Sequence, residues 1–231
     1  MTAPVCPVGR CPPVLHVADT RRGSLALGEG DFVVLLGPSG SGKSSWVRSL
    51  LGLGPGFDHA SLFGEAVTKE QVAAHIGWVS EGDGVFLSGT VWENVAHPPH
   101  VRPCPPELAA ACLGLVGLAN REAEPVANLT VRARRRAALA RALARQLPLL
   151  VIDGDRDPDL WRLLPRLVTE LDWLRGTLAA SAVAGELAWK ADSVALMDTG
   201  QVVGQGAMGD LVESWDPRVR STLAWVTPDP R

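Results

Sequence analysis

An α/β fold with a mostly parallel sheet and an inserted helical segment is predicted by three features of this sequence. Short apolar runs bounded by turn residues recur at 31–36 (DFVVLL), 149–153 (LLVID) and 193–197 (SVALM), the form of strands buried on both faces. Helical stretches separate them, and strands alternating with helices pair in parallel. From about residue 83 to 146 no clear strand pattern occurs, so this region reads as a helical insertion between two halves of a sheet.

Residues 1–13 hold four prolines and predict a loose tail. Residues 14–17 (VLHV) are expected as an edge strand, and 31–36 as a buried parallel strand. Directly after a glycine-rich loop, 44–51 read as a helix closed by Gly52 and Gly54. Residues 75–79 (HIGWV) form a second short strand. The insertion opens with a proline-rich loop over 98–106, continues as a helix from Glu107, and ends in an Ala/Leu/Arg helix over 131–146. Strands return at 149–153, 177–183 and 193–197. Thr199 and Gly200 turn the chain into a returning arm at 201–203. Residues 159–175 read as a helix kinked or broken near Pro165.

With 231 residues, 46% hydrophobic and 20% charged, the chain supports one substantial core with a small subdomain. The net charge of −3 gives no electrostatic case for nucleic acid as a partner. Cys6, Cys11, Cys104 and Cys112 lack CxxC spacing, which favours reduced thiols over a zinc site. Pro and Cys stand at the N-terminus where a signal peptide has its apolar core. The longest apolar stretch, 108–119, falls short of the ~20 residues needed to cross a bilayer. Arginine far outnumbers lysine, which makes Lys43 more informative.

That lysine lies in GPSGSGKS over residues 37–44, a complete GxxxxGK[ST] loop between a strand and a helix. Glycines let backbone N–H groups close around phosphate oxygens where a Cβ would block the approach. The following helix directs its positive end at the same anion. Gly37, Pro38, Ser39, Gly40, Ser41, Gly42, Lys43, Ser44 and Ser45 are therefore the expected nucleotide-binding residues. Lys43 would reach the β- and γ-phosphates and Ser44 would ligate Mg²⁺. Asp153, at the tip of the 149–153 strand, would hold the same Mg²⁺ through water. The implied cofactors are ATP and Mg²⁺.

Several segments in order make the chain resemble the nucleotide-binding subunit of ATP-binding cassette (ABC) transporters over nearly its whole length. They are GEGDFVVLLGPSGSGKS at 28–44, IGWVSE at 76–81, FLSGTVWENV at 86–95, RAALARAL at 136–143 and ADSVALMDTGQVVGQG at 191–206. The 86–95 segment is similar to the version seen in exporters. The resemblance implies a single nucleotide-binding domain over 1–231. Residues 14–82 and 147–231 would form a RecA-like P-loop NTPase core, and 83–146 a helical subdomain. It also implies transmembrane permease subunits and a second ATP-binding subunit as partners, with a cytoplasmic, peripheral position on the inner face of the membrane. Trp92 and the loop over 88–94 would lie near the permease groove, although simple core packing explains Trp92 equally well.

The same resemblance exposes departures in the elements that hydrolysis needs. Glu81 replaces the Q-loop glutamine, putting a carboxylate where it repels the γ-phosphate. The signature LSGGQ aligns with 129–133, where Thr130 keeps a hydroxyl but Val131 and Arg132 replace glycines; Arg132 would supply compensating charge. Gly154 stands where the family has its general base, and glycine cannot accept a proton. Asp155, one residue on, is with Glu81 a weak candidate for catalysis. No histidine occurs in 181–185, so Val183 or a neighbour fills the switch position, and 157–160 does not match the D-loop. The expectation is an ATP-binding subunit with weak or absent hydrolysis, its standing as an enzyme uncertain. A P-loop small-molecule kinase and a non-catalytic interaction module with the same fold are the alternatives. No tyrosine is present to stack on adenine; His16 is the nearest candidate, though an ordinary strand histidine is the simpler reading. Arg134, Arg135 and Arg136 read as a solvated face.

Overall fold

The computed structural model describes residues 13–82, 84–98, 103–154 and 158–227. Ten strands, nine α-helices and one short 3₁₀ helix (Val126–Asn128) are placed among them. They are β1 (Leu15–Asp19), β2 (Gly23–Leu27), β3 (Asp31–Leu36), α1 (Lys43–Leu50), β4 (His59–Leu62), β5 (Glu65–Ala66), α2 (Lys69–His75), β6 (Ile76–Val79), α3 (Val91–Ala96) and α4 (Pro106–Leu115). The chain continues with α5 (Val131–Leu143), β7 (Leu149–Asp153), α6 (Pro158–Glu170), β8 (Gly176–Ser181), α7 (Glu186–Lys190), β9 (Ser193–Asp198), β10 (Gln201–Gly206), α8 (Met208–Val212) and α9 (Pro217–Val226).

The main sheet has the order β10-β9-β3-β8-β7-β6. Every pair from β9 to β6 is parallel, and only the β9/β10 hairpin is antiparallel. The predicted α/β fold is thus the observed one. Strands β3, β7 and β8 are apolar on both faces because both faces are covered. Alternate residues Val34, Leu36, Ile152 and Ala179 join the core under the helices that follow β6. Their neighbours Val33, Leu35, Val151 and Ala180 pack on α1 and on a second sheet.

That second sheet, antiparallel with the order β2-β1-β4-β5, corrects one expectation. β1 is not an edge strand; it pairs with β2 on one side and β4 on the other. β2 is short and buries only Leu25 and Leu27 between exposed neighbours, and β4 buries only Leu62, so the strand signal is brief in one and missing in the other. A second difference concerns α6, which runs unbroken through Pro165. Its amphipathic packing, with Leu164 and Leu167 fully buried, supplies what the missing backbone donor does not.

Between β6 and β7 the described residues are helices and loops, with one isolated bridge from Thr90 to Pro125. Helix α3 starts at a capping box: the Thr90 hydroxyl accepts from Glu93 N (3.1 Å) and Glu93 returns a carboxylate to Thr90 N (2.8 Å). Helix α5 starts on Thr130, whose hydroxyl accepts from Ala133 N, and its alanines pack fully buried against α3, α4 and β6. Trp92 is half-buried against this core. None of the described helices is long and apolar enough to cross a membrane.

Candidate functional site

The loop between β3 and α1 is held by the ends of neighbouring strands. Gly37 N donates to Ser181 O at the end of β8, and Gly200 N donates to Ser41 O. A Cβ built on Gly37 would lie 2.2 Å from Met197 O and 2.7 Å from Ser41 Oγ, so the loop is pressed against β9. Gly40 and Gly42 turn it with φ of +83° and +97°, the left-handed region that glycine enters without penalty. Gly42 then caps α1, and Ser41 N closes a turn on Pro38 O.

Lys43 bends back over this loop, donating from Nζ to Gly37 O (2.7 Å), Pro38 O (2.9 Å) and Ser41 Oγ (3.4 Å). The Ser44 hydroxyl donates to Asp153 Oδ1 at 3.0 Å, bringing the first turn of α1 to the tip of β7. Asp153 is 2% exposed. Burial pushes its carboxyl above the ordinary value; the Ser44 bond draws it down and the nearby Glu81 charge pushes it up. A cleft of about 300 Å³ opens between these groups. Ser39, Gly40, Lys43, Ser44 and Ser45 line one side, and Glu81, Asp153 and Gly154 the other. Gly37, Pro38 and Ser41 are not part of that lining and instead hold the Lys43 ammonium.

These residues fit a Mg²⁺–triphosphate group. A serine hydroxyl and a carboxylate, both hard oxygen donors, meet beside a lysine ammonium at a glycine turn with open space over Gly40. One expected residue lines a different cavity. His16 lines a wide basin with Ser49, Gly52 and His59, beside the C-terminal end of α1 and away from the phosphate loop. It is not part of the lining of the cleft at the phosphate loop. Asp155 lies outside the described residues.

One buried residue beside the cleft escaped the sequence. Arg135, expected on a solvated face, is 2% exposed, and its Nη2 donates to Asp153 O (2.6 Å) and Gly154 O (2.9 Å). Arg134 likewise turns inward, to the carbonyls of Val126 and Ala127. The only available signal was the position of Arg135 on α5, three residues before the buried Ala138. Arg132 and Val131, by contrast, are exposed at the start of α5, as is Val183 beyond β8.

Residues 20–154, more than half of the chain, match the ABC transporter family. The chain belongs to that family. It is an ATP-binding ABC transporter domain with the P-loop NTPase fold, and ABC ATP-binding proteins in general bind ATP with Mg²⁺. The Fe(3+) ions import ATP-binding protein FbpC of Streptomyces coelicolor is 34% identical over 194 residues, covering 79% of this ABC chain and 56% of the relative. The chain thus spans little more than half of that protein's length. The L-cystine transport system ATP-binding protein TcyN of Escherichia coli is 31% identical over 91% of each chain. Among solved structures, cbiO1 of Clostridium perfringens, described as part of the ABC transporter complex cbiONQ, superposes with a TM-score of 0.74. At 18% identity it supports the ABC fold of this chain and nothing finer.

Proposed function

We propose that this ABC chain is the ATP-binding subunit of a transport system that grips Mg-ATP and hydrolyses it weakly or not at all. In this reading residues 37–45 hold the phosphates, Lys43 neutralises them, and Ser44 and Asp153 hold the Mg²⁺. The observation that carries it is the contrast at the tip of β7. The Ser44–Asp153 pair is in place, while the next residue, Gly154, has no side chain, a φ of +86°, and Glu81 and Arg135 crowded against it. Bound Mg²⁺ would offset the charge of the phosphates; no group at residue 154 can then take a proton from water. Val131 and Arg132 at the signature position and Val183 at the switch position add to the same reading.

Coupling to a permease is supported by an apolar groove of about 330 Å³ between α2, β6 and α5. Leu53, Val72, Trp78 and Phe86 line it, and Arg141 lies over the Phe86 ring at 5.1 Å. The groove's lining includes Phe86 and Pro98, which flank the 88–94 segment in the chain, and its occupant would be a permease segment that fills an apolar slot. The division into a core (14–82, 147–231) and a helical subdomain (83–146) belongs to this reading. So do a second ATP-binding subunit as partner and a peripheral position on the inner membrane face. FbpC and TcyN are named for uptake or transport systems, which favours import despite the exporter-like 86–95 segment.

The test is binding and turnover on the purified chain. Saturable Mg-ATP binding that vanishes in Lys43→Ala, with turnover near background, is expected. Robust hydrolysis would refute the weak-site reading, and its loss in Asp155→Asn would make Asp155 the base.

A further inference from the structure

The buried guanidinium of Arg135 is the least expected group near the cleft. Arginine stays charged in proteins, and burying a charge costs several kcal/mol unless hydrogen bonds replace its water. On α5 it is almost fully enclosed, and it reaches across to the end of β7 to bind two successive carbonyls, those of Asp153 and Gly154. In an extended strand successive carbonyls point to opposite sides. One nitrogen can bind both only if the chain turns sharply between them.

Gly154 makes that turn at φ +86°, while its N–H still closes a ladder bond to Ala180 O at 3.2 Å. A Cβ at this position would lie 2.8 Å from Glu81 Cγ and 3.4 Å from Arg135 Nη2. The turn is therefore blocked to other residues twice, once by its backbone conformation and once by the two side chains against it. Directly before it, the Asp153 carboxylate meets the Ser44 hydroxyl.

We infer that Arg135 is a positioning residue: by clamping the Asp153 and Gly154 carbonyls it fixes the turn that aims the Asp153 carboxylate at Ser44. Gly154 is a requirement of that clamp, not simply a lost base, and Glu81 and Arg135 leave no room for a base to be restored there by one substitution. This role rests on the Mg-ATP reading above, since Asp153 acts through the metal.

The experiment is ATP titration of the full chain in Mg²⁺ and again in EDTA, with urea unfolding as a fold check. Arg135→Gln is expected to weaken Mg-ATP binding about tenfold, the worth of one lost charged hydrogen bond, while metal-free ATP affinity stays within about twofold. Arg135→Lys keeps a donor for one carbonyl and should recover part of the loss. Gly154→Ala should reproduce the Mg-specific loss, and carries the test if Arg135→Gln does not fold. Gly154→Glu should not raise turnover. Equal losses with and without Mg²⁺, unchanged affinity in Arg135→Gln, or brisk hydrolysis by Gly154→Glu would each overturn the role. If the unmodified chain does not bind Mg-ATP, the function proposed above falls and this role falls with it. If that chain binds and only the variants fail to behave as stated, this role alone is lost.

Discussion

Gly37 and Gly40 belong to one loop, yet adding a methyl group to each should fail in a different way. In Gly37→Ala the new Cβ meets the Met197 carbonyl oxygen at 2.2 Å and Ser41 Oγ at 2.7 Å. An ordinary contact needs roughly an ångström more than the first of these, and the obstacle is backbone at the end of β9, which cannot rotate away. Overpacking of this kind costs about 1–3 kcal/mol, and the upper part of that range applies where backbone must move. The displaced loop would also lose its register with Lys43, so binding should fall with stability. In Gly40→Ala nothing lies within 4 Å of the added Cβ, but φ is +83°. The cost there is about 1 kcal/mol of backbone strain. Because Gly40 lines the cleft, the methyl group also stands where phosphate oxygens would approach. Urea unfolding and Mg-ATP titration of both variants separate the two mechanisms. Gly37→Ala should lose more stability, and Gly40→Ala should lose more binding than its stability loss explains. If Gly37→Ala unfolds at the midpoint of the unmodified chain, the close packing of the loop on β9 is wrong.

Three further outcomes follow from the structure. Thr90→Ala removes the capping box of α3 and should cost about 1 kcal/mol, a fall of roughly 2–4 °C in the thermal midpoint for a chain of this size. Arg22→Ala removes bonds to Pro55 O (3.1 Å) and Gly56 O (2.7 Å) and a stacking contact over Phe57 at 4.6 Å. It should cost about 1–2 kcal/mol in urea unfolding, with no change in m-value. Burial pushes the Cys112 thiol up to about 11 from its ordinary value near 9. A raised folded value means the unfolded chain ionises first, so stability is fully present below about pH 9 and declines towards about pH 11. The chain has no tyrosine to obscure that decline, and Cys112→Ala should lessen it in urea titrations across this range, while Cys104, whose thiol burial also raises, keeps a share of it.

The parts of the fold that were legible in the sequence are those whose signal is local. β3, β7 and β9 read correctly because a strand covered on both faces must be apolar at nearly every position. The glycine loop was placed correctly between β3 and α1 because its glycines, lysine and serine lie within eight residues of one another. The small sheet did not, since β2 and β4 are short and half-exposed, and β1 looks like an edge until both partners are placed beside it.

The sequence by itself determined the α/β fold, the place of the phosphate loop, and the absence of a side chain at Gly154. Only the tertiary structure decided what Arg135 does. A run of arginines on a helix carries the same local pattern whether it meets water or backbone. Its meaning depends on the end of β7, eighteen residues further along, and on the left-handed turn at Gly154 that presents two carbonyls to one nitrogen. Contacts of that separation are set by how α5 and β7 pack together, and no local pattern encodes them.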